Sequence, residues 1–425
     1  MSSMPKRSNR MERRFDVIVV GGGVVGLACA YALLGKGRSV CVLEGDDLGN
    51  GASHGNCGLL TPSHALPLTR PATLRQALRS IGKADSPLYV RPRLDLDFLL
   101  WSLRFVRHCG RKRMGRALRA RSALLERSLE LTREWIATEE LECEWQSDGL
   151  LEVYGEESAL PGADQVHAIL SEHGLDSRRL SAQETRDLEP ALTASSVAGG
   201  LLYPRDAHLR PDSFLAELAR AVRGRGGVIQ TDCKVHEILH DDRAQRIKTS
   251  RGEWVSSQLV LATGAWGPDL ARGLGLRLPI QAGKGYSLTI PSPSGAPTMP
   301  LLLHEANMAV TPWPSGLRLG GTMELSGRNL DILPGRIAAL RAGGARFLDC
   351  DLASAGDEWV GWRPMTPDEL PLIGPSPASE HILVATGHGM MGVSMCAATG
   401  DLVARMLCGD DPGIDPKPYA ATRFQ

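Results

Sequence analysis

The chain carries no net charge, because its 48 Lys and Arg residues equal its 48 Asp and Glu residues in number. A balanced charge provides no overall field that would attract nucleic acid, so we expect no nucleic-acid partner. The nine cysteines include no CxxC pair. This spacing argues against a disulfide framework, a zinc site or a cysteine-ligated iron–sulfur cluster, so we predict no metal and a cytoplasmic, reducing environment.

Long uncharged runs are also scarce, and the one near the N-terminus is interrupted by glycine. Residues 17–35 contain 19 residues without a charge, which would be long enough for a signal peptide or a membrane helix. Gly21, Gly22, Gly23 and Gly26 break this run, with a strand-like segment before them and a helix-like segment after them. That context favours a nucleotide-binding turn in a soluble protein over a membrane span.

The glycine turn has the spacing of a dinucleotide-binding βαβ unit. Gly21 permits the tight turn, Gly23 lets a pyrophosphate approach the backbone, and Gly26 lets the helix pack closely on the strand. Val24 and Val25 begin the predicted helix, whose positive N-terminus would face the phosphates. The turn therefore predicts a bound dinucleotide.

Glu44 ends the second predicted strand, 23 residues after the first glycine of the turn. Its carboxylate can accept hydrogen bonds from the hydroxyls of a ribose, and its charge disfavours a 2′-phosphate. Strand, glycines, helix, strand and terminal acid thus occur in the expected register.

Two further segments distinguish the dinucleotide. Residues 259–265 form an apolar run that ends in Ala262, Thr263 and Gly264, where the chain can pass beneath a nucleotide without an intruding side chain. Residues 385–394 again read as strand, glycine turn and helix, and they add the candidates Gly387, His388, Gly389, Met391, Gly392 and Val393. A helix N-terminus there would stabilise the negative charge that a flavin gains on reduction. We therefore predict FAD rather than a nicotinamide.

Several segments, taken with Glu44, resemble signatures of the D-amino acid oxidase superfamily, and within it most closely the bacterial D-amino acid dehydrogenases. These segments are residues 53–58 (SHGNCG), 284–289 (KGYSLT), 361–368 (GWRPMTPD), 370–374 (LPLIG) and 386–389 (TGHG). The resemblance implies an α/β protein: a Rossmann-type FAD-binding domain with an inserted α+β substrate domain. We assign residues 1–90, 205–275 and 355–425 to the first domain, and residues 91–204 and 276–354 to the second.

The same resemblance implies the reaction. It would be the oxidative deamination or dehydrogenation of a small D-amino acid by hydride transfer from the α-carbon to flavin N5, with the electrons passed to a quinone or another acceptor. Cyclic substrates such as D-proline and cis-4-hydroxy-D-proline are an option within it.

Three residues are the catalytic candidates, and the resemblance implies two of them, Arg363 and Tyr286. Arg363 falls where the family clamps the substrate carboxylate, and a planar guanidinium can grip both carboxylate oxygens. Tyr286 resembles a tyrosine that faces the flavin, where it could hydrogen-bond the substrate carboxylate, and His304 would line the cavity. The remaining cofactor candidates are Ser53, His54, Asn56, Cys57, Gly58, Leu59 and Val235. His54 and Cys57 depart from the small or apolar residues expected at their positions.

Two alternatives remain open at this point. One is a glycine- or sarcosine-type amine oxidase that reduces oxygen. The other is a flavin subunit of a membrane-associated complex, because residues 94–121 combine Leu, Phe and Trp with many Arg residues. Such a basic amphipathic segment suits peripheral contact with the inner face of the plasma membrane.

Overall fold

The computed structural model describes residues 14–71, 73–74, 88–91, 93–241 and 244–425. Within these residues we number the strands and the helices in chain order. Most of the strands belong to two large sheets, and a cavity lies between the elements of both sheets.

The first sheet has eight strands: β1 (Arg14–Val20), β2 (Val40–Leu43), β9 (Val228–Gln230), β10 (Val235–His240), β11 (Gln245–Thr249), β12 (Gly252–Leu261), β18 (Leu372–Ser376) and β19 (Ser379–Thr386). Its main path runs β10-β11-β12-β1-β2-β9, with β19 beside β12 and β18 beside β19. The strands β9, β2, β1, β12 and β19 are parallel. Their apolar runs fit this arrangement, because parallel sheets are usually buried on both faces.

Helices cover this sheet: α1 (Val24–Gly35), α6 (Pro211–Gly224) and α9 (Gly392–Cys408), with the long α3 (Arg111–Glu139) packed on α9. Helices α1 and α9 make an extensive contact with each other. Gly400 lies at this contact, where a Cβ atom would stand 2.4 Å from the carbonyl oxygen of Ala28. The two helix backbones therefore meet at a distance that only glycine permits.

The second sheet has nine strands: β4 (Leu88–Val90), β5 (Leu150–Tyr154), β6 (Arg178–Ser181), β7 (Gly199–Tyr203), β13 (Gln281–Ile290), β14 (Leu301–Leu303), β15 (Met308–Trp313), β16 (Gly316–Leu325) and β17 (Asp357–Met365). Its path runs β17-β13-β16-β15-β14-β5-β7-β6, and β4 pairs with β16. The pairs β14–β5 and β16–β4 are parallel, and the others are antiparallel. Helix α8 (Pro334–Ala345) packs on β13, β15 and β16.

The remaining elements are smaller. Strands β3 (Leu59–Leu60) and β8 (Ala207–His208) form a separate antiparallel pair. The other helices are α2 (Leu96–His108), α4 (Leu160–Glu172), α5 (Ala182–Leu188) and α7 (Gly267–Arg272). No helix within the described ranges is both long and apolar enough to cross a membrane.

The predicted fold class is confirmed, because the chain alternates between a largely parallel nucleotide-type sheet and a mixed second sheet. The uncharged run at residues 17–35 divides into β1, a glycine turn and α1, as the dinucleotide motif predicted. The domain boundaries remain a prediction, and sheet membership differs from them at two places. Strands β4 and β17 belong to the second sheet, because β17 pairs with β13 along its length and β4 pairs with β16.

Replacing Gly400 with alanine should destabilise the protein. The new Cβ would collide with the backbone of Ala28, so α1 and α9 would have to separate, at a cost of roughly 1–3 kcal/mol for overpacking. The thermal unfolding midpoint of the Gly400→Ala variant measures this cost.

Gly115→Ala is the matched control, because Gly115 also lies inside a helix. A Cβ atom there would meet only the end of the Arg119 side chain, at 3.9 Å. This variant should unfold at the same or a slightly higher temperature, since alanine favours a helix by about 0.5–1 kcal/mol over glycine. Equal midpoints for the two variants would contradict the close contact of α1 and α9.

Candidate active site

A cavity of about 1390 Å³ lies between the two sheets. Its walls include the glycine turn after β1, the loop before β3, the ends of β12 and β19, and strands β16 and β17 of the second sheet. Pockets for a single small molecule usually span roughly 300–1,000 Å³. The cavity is therefore large enough for a dinucleotide together with a small substrate.

The glycine turn brings backbone to the cavity wall where side chains would not fit. Gly21 has a positive φ of 108°, and a Cβ there would lie 2.4 Å from the carbonyl oxygen of Ala262. A Cβ on Gly26 would lie 1.9 Å from the carbonyl oxygen of Gly21. The helix that follows has no acidic residue in its first turn, so its N-terminal backbone groups are available to an anion such as a phosphate.

Glu44 both holds this turn and borders the cavity. Its carboxylate accepts hydrogen bonds from the backbone N–H of Gly22, at 2.6 Å, and of Asp46, at 3.1 Å. A carboxylate oxygen has more than one lone pair, so it can also accept a bond from a ribose hydroxyl. The backbone cradle and this carboxylate fit a dinucleotide whose adenosine ribose carries free hydroxyls.

Another part of the wall is formed by the turn that precedes α9. His388 is buried there, and burial lowers the pKa of its imidazole to about 3. With so low a pKa, the ring is neutral at physiological pH. Its Nε2 lies 2.9 Å from the hydroxyl of Thr399. The Asn56 amide donates to the carbonyl of Met390, at 3.3 Å, and thereby joins this turn to the loop before β3.

Most of the predicted cofactor residues line the cavity. They are Gly21, Gly23, Val24, Val25, Glu44, Ser53, Asn56, Cys57, Leu59, Val235, Ala262, Thr263, Gly264, His388, Gly389, Met391, Gly392 and Val393. The structure thus brings together residues from both ends and the middle of the chain.

Four predicted cofactor residues do not line the cavity: Gly26, His54, Gly58 and Gly387. The three glycines instead allow close backbone packing, because a Cβ would collide with Gly21, Leu209 and Thr366 respectively. The His54 imidazole is directed to the carboxylate of Asp357, with Nε2 at 3.9 Å from Oδ2. These four residues lie outside the cavity wall, and their contact with a cofactor remains a prediction.

Arg318 was not predicted, yet it holds the loop that carries Asn56 and Cys57. Its guanidinium is buried and donates to the backbone carbonyls of His54 and Asn56, both at 2.7 Å, and to the hydroxyl of Thr289 at 2.9 Å. The signal for it was an arginine among the apolar residues at the start of strand β16. A charged residue in a buried strand usually has a specific set of partners.

Arg363 lies on β17, and its side chain reaches the cavity across Gly285 of β13. A Cβ on Gly285 would stand 2.3 Å from its guanidinium carbon, so glycine there leaves room for the side chain. Its Nη1 donates to the carbonyl of Thr322 at 2.6 Å, and Nη2 lies 3.5 Å from the carbonyl of Gly321. The side chain forms no ion pair within the described residues and borders the cavity. A guanidinium with neutral partners on one side and open space on the other is suited to bind a carboxylate.

Tyr286 does not have the predicted geometry. In the pairing of β13 with β17, Arg363 stands opposite Gly283, so its side chain shares a face of the sheet with position 283. Tyr286 is three residues further along β13, and successive side chains alternate between faces. The side chains of Arg363 and Tyr286 therefore lie on opposite faces. Tyr286 borders the cavity but is 1% exposed, and its hydroxyl donates to the Glu324 carboxylate at 3.2 Å. Its hydroxyl is therefore engaged away from the Arg363 face, and the predicted bond to a substrate carboxylate is not supported.

His304 borders the cavity in a second polar region. Its Nδ1 lies 3.1 Å from Oε1 of Glu152, and this hydrogen bond raises the pKa of the imidazole. The Tyr203 hydroxyl donates to the other oxygen of Glu152 at 2.8 Å. His64 also borders this region, and burial lowers the pKa of its ring to about 4. His304 thus lines the cavity, bonded to Glu152.

Curated relatives match nearly the whole chain. It is 33% identical to a D-amino acid dehydrogenase of Paramagnetospirillum magneticum over 418 residues, which cover 96% of this chain and 98% of the relative. It is 29% identical to a D-amino acid dehydrogenase of Neisseria meningitidis over 421 residues, which cover 96% and 99%. Sequence similarity therefore extends through both sheets and the cavity.

Solved structures match the fold. The glycine oxidase of Geobacillus kaustophilus superposes with a TM-score of 0.76 at 23% identity, over 97% of this chain and 100% of that one. The L-proline dehydrogenase from P. horikoshii superposes with a TM-score of 0.73 at 18% identity, over 97% and 98%. The model of the family described as "DAO: FAD dependent oxidoreductase" matches residues 16–406. The chain belongs to this family of FAD-dependent oxidoreductases.

Proposed function

We propose that this protein is an FAD-dependent dehydrogenase of small D-amino acids, which removes a hydride from the α-carbon and passes the electrons to a quinone or another acceptor. The observation that carries the proposal is Arg363, a guanidinium with no ion pair within the described residues, at the wall of the cavity. The names of the curated relatives support the substrate class.

The residues of this chain would position the substrate. Arg363 binds the α-carboxylate through two parallel hydrogen bonds, and the carbonyls of Gly321 and Thr322 fix the orientation of the guanidinium. Fixing the carboxylate also orients the α-carbon, which is the main requirement for reaction from a bound state. Bound FAD supplies the two-electron acceptor for the hydride.

The FAD would be held by the glycine turn, Glu44 and the turn before α9, all of which border the cavity. Burial raises the pKa of the Cys57 thiol, so this neighbouring side chain stays protonated and is unsuited to act as a base. We infer that the substrate reacts as its neutral amine, with the solvent taking the ammonium proton beforehand. Cyclic amines such as D-proline and cis-4-hydroxy-D-proline belong to the substrate series to be tested.

Anaerobic addition of a small D-amino acid should remove the visible absorbance of the bound flavin, whereas the L-enantiomer should not. D-alanine, D-proline and cis-4-hydroxy-D-proline, each with its enantiomer, form the first series, and glycine and sarcosine are the comparison for an oxidase. Oxygen uptake is then compared with dye reduction for the same substrate. Loss of absorbance with glycine alone, accompanied by rapid oxygen uptake, would instead identify an amine oxidase.

Arg363→Lys should lower kcat/KM for every amino acid substrate while the flavin stays bound. Lysine keeps the charge but loses the planar pair of donors, and the loss of one charged hydrogen bond costs roughly 1.5–3 kcal/mol, or about 10- to 100-fold. Steady-state dye reduction measures the change. Arg346→Lys is the control, because Arg346 pairs with Glu156 at the surface. An unchanged kcat/KM in Arg363→Lys would remove this residue from carboxylate binding.

We also propose that α2 contacts an anionic membrane, where a quinone would be available. Leu96, Leu99 and Leu103 are 69%, 56% and 55% exposed, and Leu99 and Leu103 share one face of the helix. Arg107, Arg111, Lys112 and Arg113 follow directly, at the end of α2 and the start of α3. Exposed leucines beside a basic segment match a surface of apolar chains and anionic head groups.

The double variant Leu99→Glu with Leu103→Glu should lose binding to vesicles of anionic lipid, because two carboxylates replace apolar contact with the bilayer. Co-sedimentation at low salt, with neutral vesicles in parallel, measures the binding. Val228→Glu with Leu239→Glu is the matched control, since both residues are 41% exposed on the first sheet. Equal sedimentation of both variants, or none for the unchanged protein, would contradict the membrane contact.

A further inference from the structure

A polar cluster borders the cavity apart from Arg363. It consists of Arg70, Glu152 and His304 at the cavity wall, with Tyr154 and Tyr203 behind them. Glu152 lies on β5 and Tyr203 on β7, whereas Arg363 lies on β17 at the far edge of the same sheet. The cluster is therefore a feature of the cavity wall separate from Arg363.

Arg70 is the unusual member of the cluster. Its Nε is buried without a hydrogen-bond partner, and its side chain forms no ion pair among the residues that the structure describes. The two carboxylates that influence it pair elsewhere, Glu152 with His304 and Glu369 with Arg121. Arginine stays protonated in proteins, and a poorly solvated charge without a partner is costly. A ligand with an acceptor oxygen would supply what this guanidinium lacks.

The Glu152 carboxylate is engaged within the cluster. Its two oxygens already bond to Nδ1 of His304 and to the hydroxyl of Tyr203. Burial raises the pKa of Glu152, but the hydrogen bonds from His304 and Tyr203 outweigh it, so the pKa is lowered overall and the carboxylate stays ionised. The ionised carboxylate in turn supports a protonated His304, whose side chain is 46% exposed. The cluster therefore presents donors to the cavity.

We propose that Arg70 and His304 bind an oxygen-bearing substituent on the side chain of the substrate, and so select D-amino acids with a side-chain hydroxyl or carboxylate over apolar ones of similar size. This inference rests on the proposed function, because it assumes that Arg363 holds the α-carboxylate of the same molecule. Glu152 then acts as a positioning residue, which orients His304 and holds its proton. Selection follows because an apolar substituent would leave both donors unpaired.

The test compares substrates in matched pairs that differ by the oxygen group. Suitable pairs are D-serine with D-2-aminobutyrate, cis-4-hydroxy-D-proline with D-proline, and D-glutamate with D-norleucine. The ratio of kcat/KM within a pair should favour the oxygen-bearing member by about 10- to 100-fold, the range for a hydrogen bond to a charged group. The first two pairs report a hydroxyl and the third reports a carboxylate, so the responding pair identifies the group.

Arg70→Met should bring the ratio of the responding pair close to one, and Arg70→Lys should restore part of it. Arg363→Lys is the control, because it affects the carboxylate that both members share and should leave the ratio unchanged. A ratio that survives in Arg70→Met, or ratios near one in all pairs for the unchanged protein, would overturn the inference. The proposed function would fail differently, with no D-amino acid removing the flavin absorbance.

A binding measurement keeps the test decisive if Arg70→Met does not fold. Perturbation of the flavin spectrum gives dissociation constants of the unchanged protein and of His304→Gln for glutarate and for valerate, which differ by one carboxylate. Glutarate should bind about 10-fold more tightly to the unchanged protein, and His304→Gln should reduce this advantage. The corresponding hydroxyl probe is 4-hydroxybutyrate against valerate. Equal affinities for both probe pairs in the unchanged protein would count against the inference without reference to turnover.

Discussion

The close approach of backbone segments beneath the glycine turn is the constraint on which the site depends. Gly21 meets the end of β12 at Ala262, and Gly26 meets Gly21, in both cases at distances that exclude a Cβ atom. Glu44 then fixes the turn through the N–H of Gly22. Because these contacts join β1, α1, β2 and β12 within a few residues, the turn, the helix N-terminus and the acidic residue are positioned together. Gly400 also lies where a Cβ atom would not fit, at the contact of α9 with α1. This contact positions the turn before α9 relative to α1.

The partners of three arginines distinguish structural from ligand-binding roles. Arg318 is surrounded by two carbonyls and a hydroxyl that hold the loop of Asn56. Arg121 bonds to the carbonyls of Glu369 and His64 and lies near the Glu369 carboxylate. Arg363 contacts carbonyls on one side only and faces open volume on the other. The incomplete set of partners around Arg363 is therefore the property that indicates a ligand.

The local part of this architecture could be predicted from the sequence because it depends on residues close together in the chain. The strand, glycines and helix at residues 15–34 form one continuous unit whose periodicities can be read directly. The turn before α9 has the same form. Predictions were less successful where a residue's role depends on contacts with distant segments. Gly58 and Gly387 were expected beside the cofactor, and the structure adds close packing on Leu209 and Thr366, which the motif spacing did not predict.

Strand register explains the remaining differences. Tyr286 and Arg363 were both expected to contact the same carboxylate, and in a sheet this depends on whether their positions in β13 and β17 share a face. The observed pairing puts Arg363 opposite Gly283, and a shift of one residue would have moved every side chain of β17 to the other face. No local pattern in the sequence determines that register. The members of the polar cluster, Arg70, Glu152 and His304, also come from distant segments, and Glu152 and His304 meet because β5 pairs with β14. Sequence motifs can therefore miss residues that would select a ligand, whereas they do identify the glycine turns at the cavity.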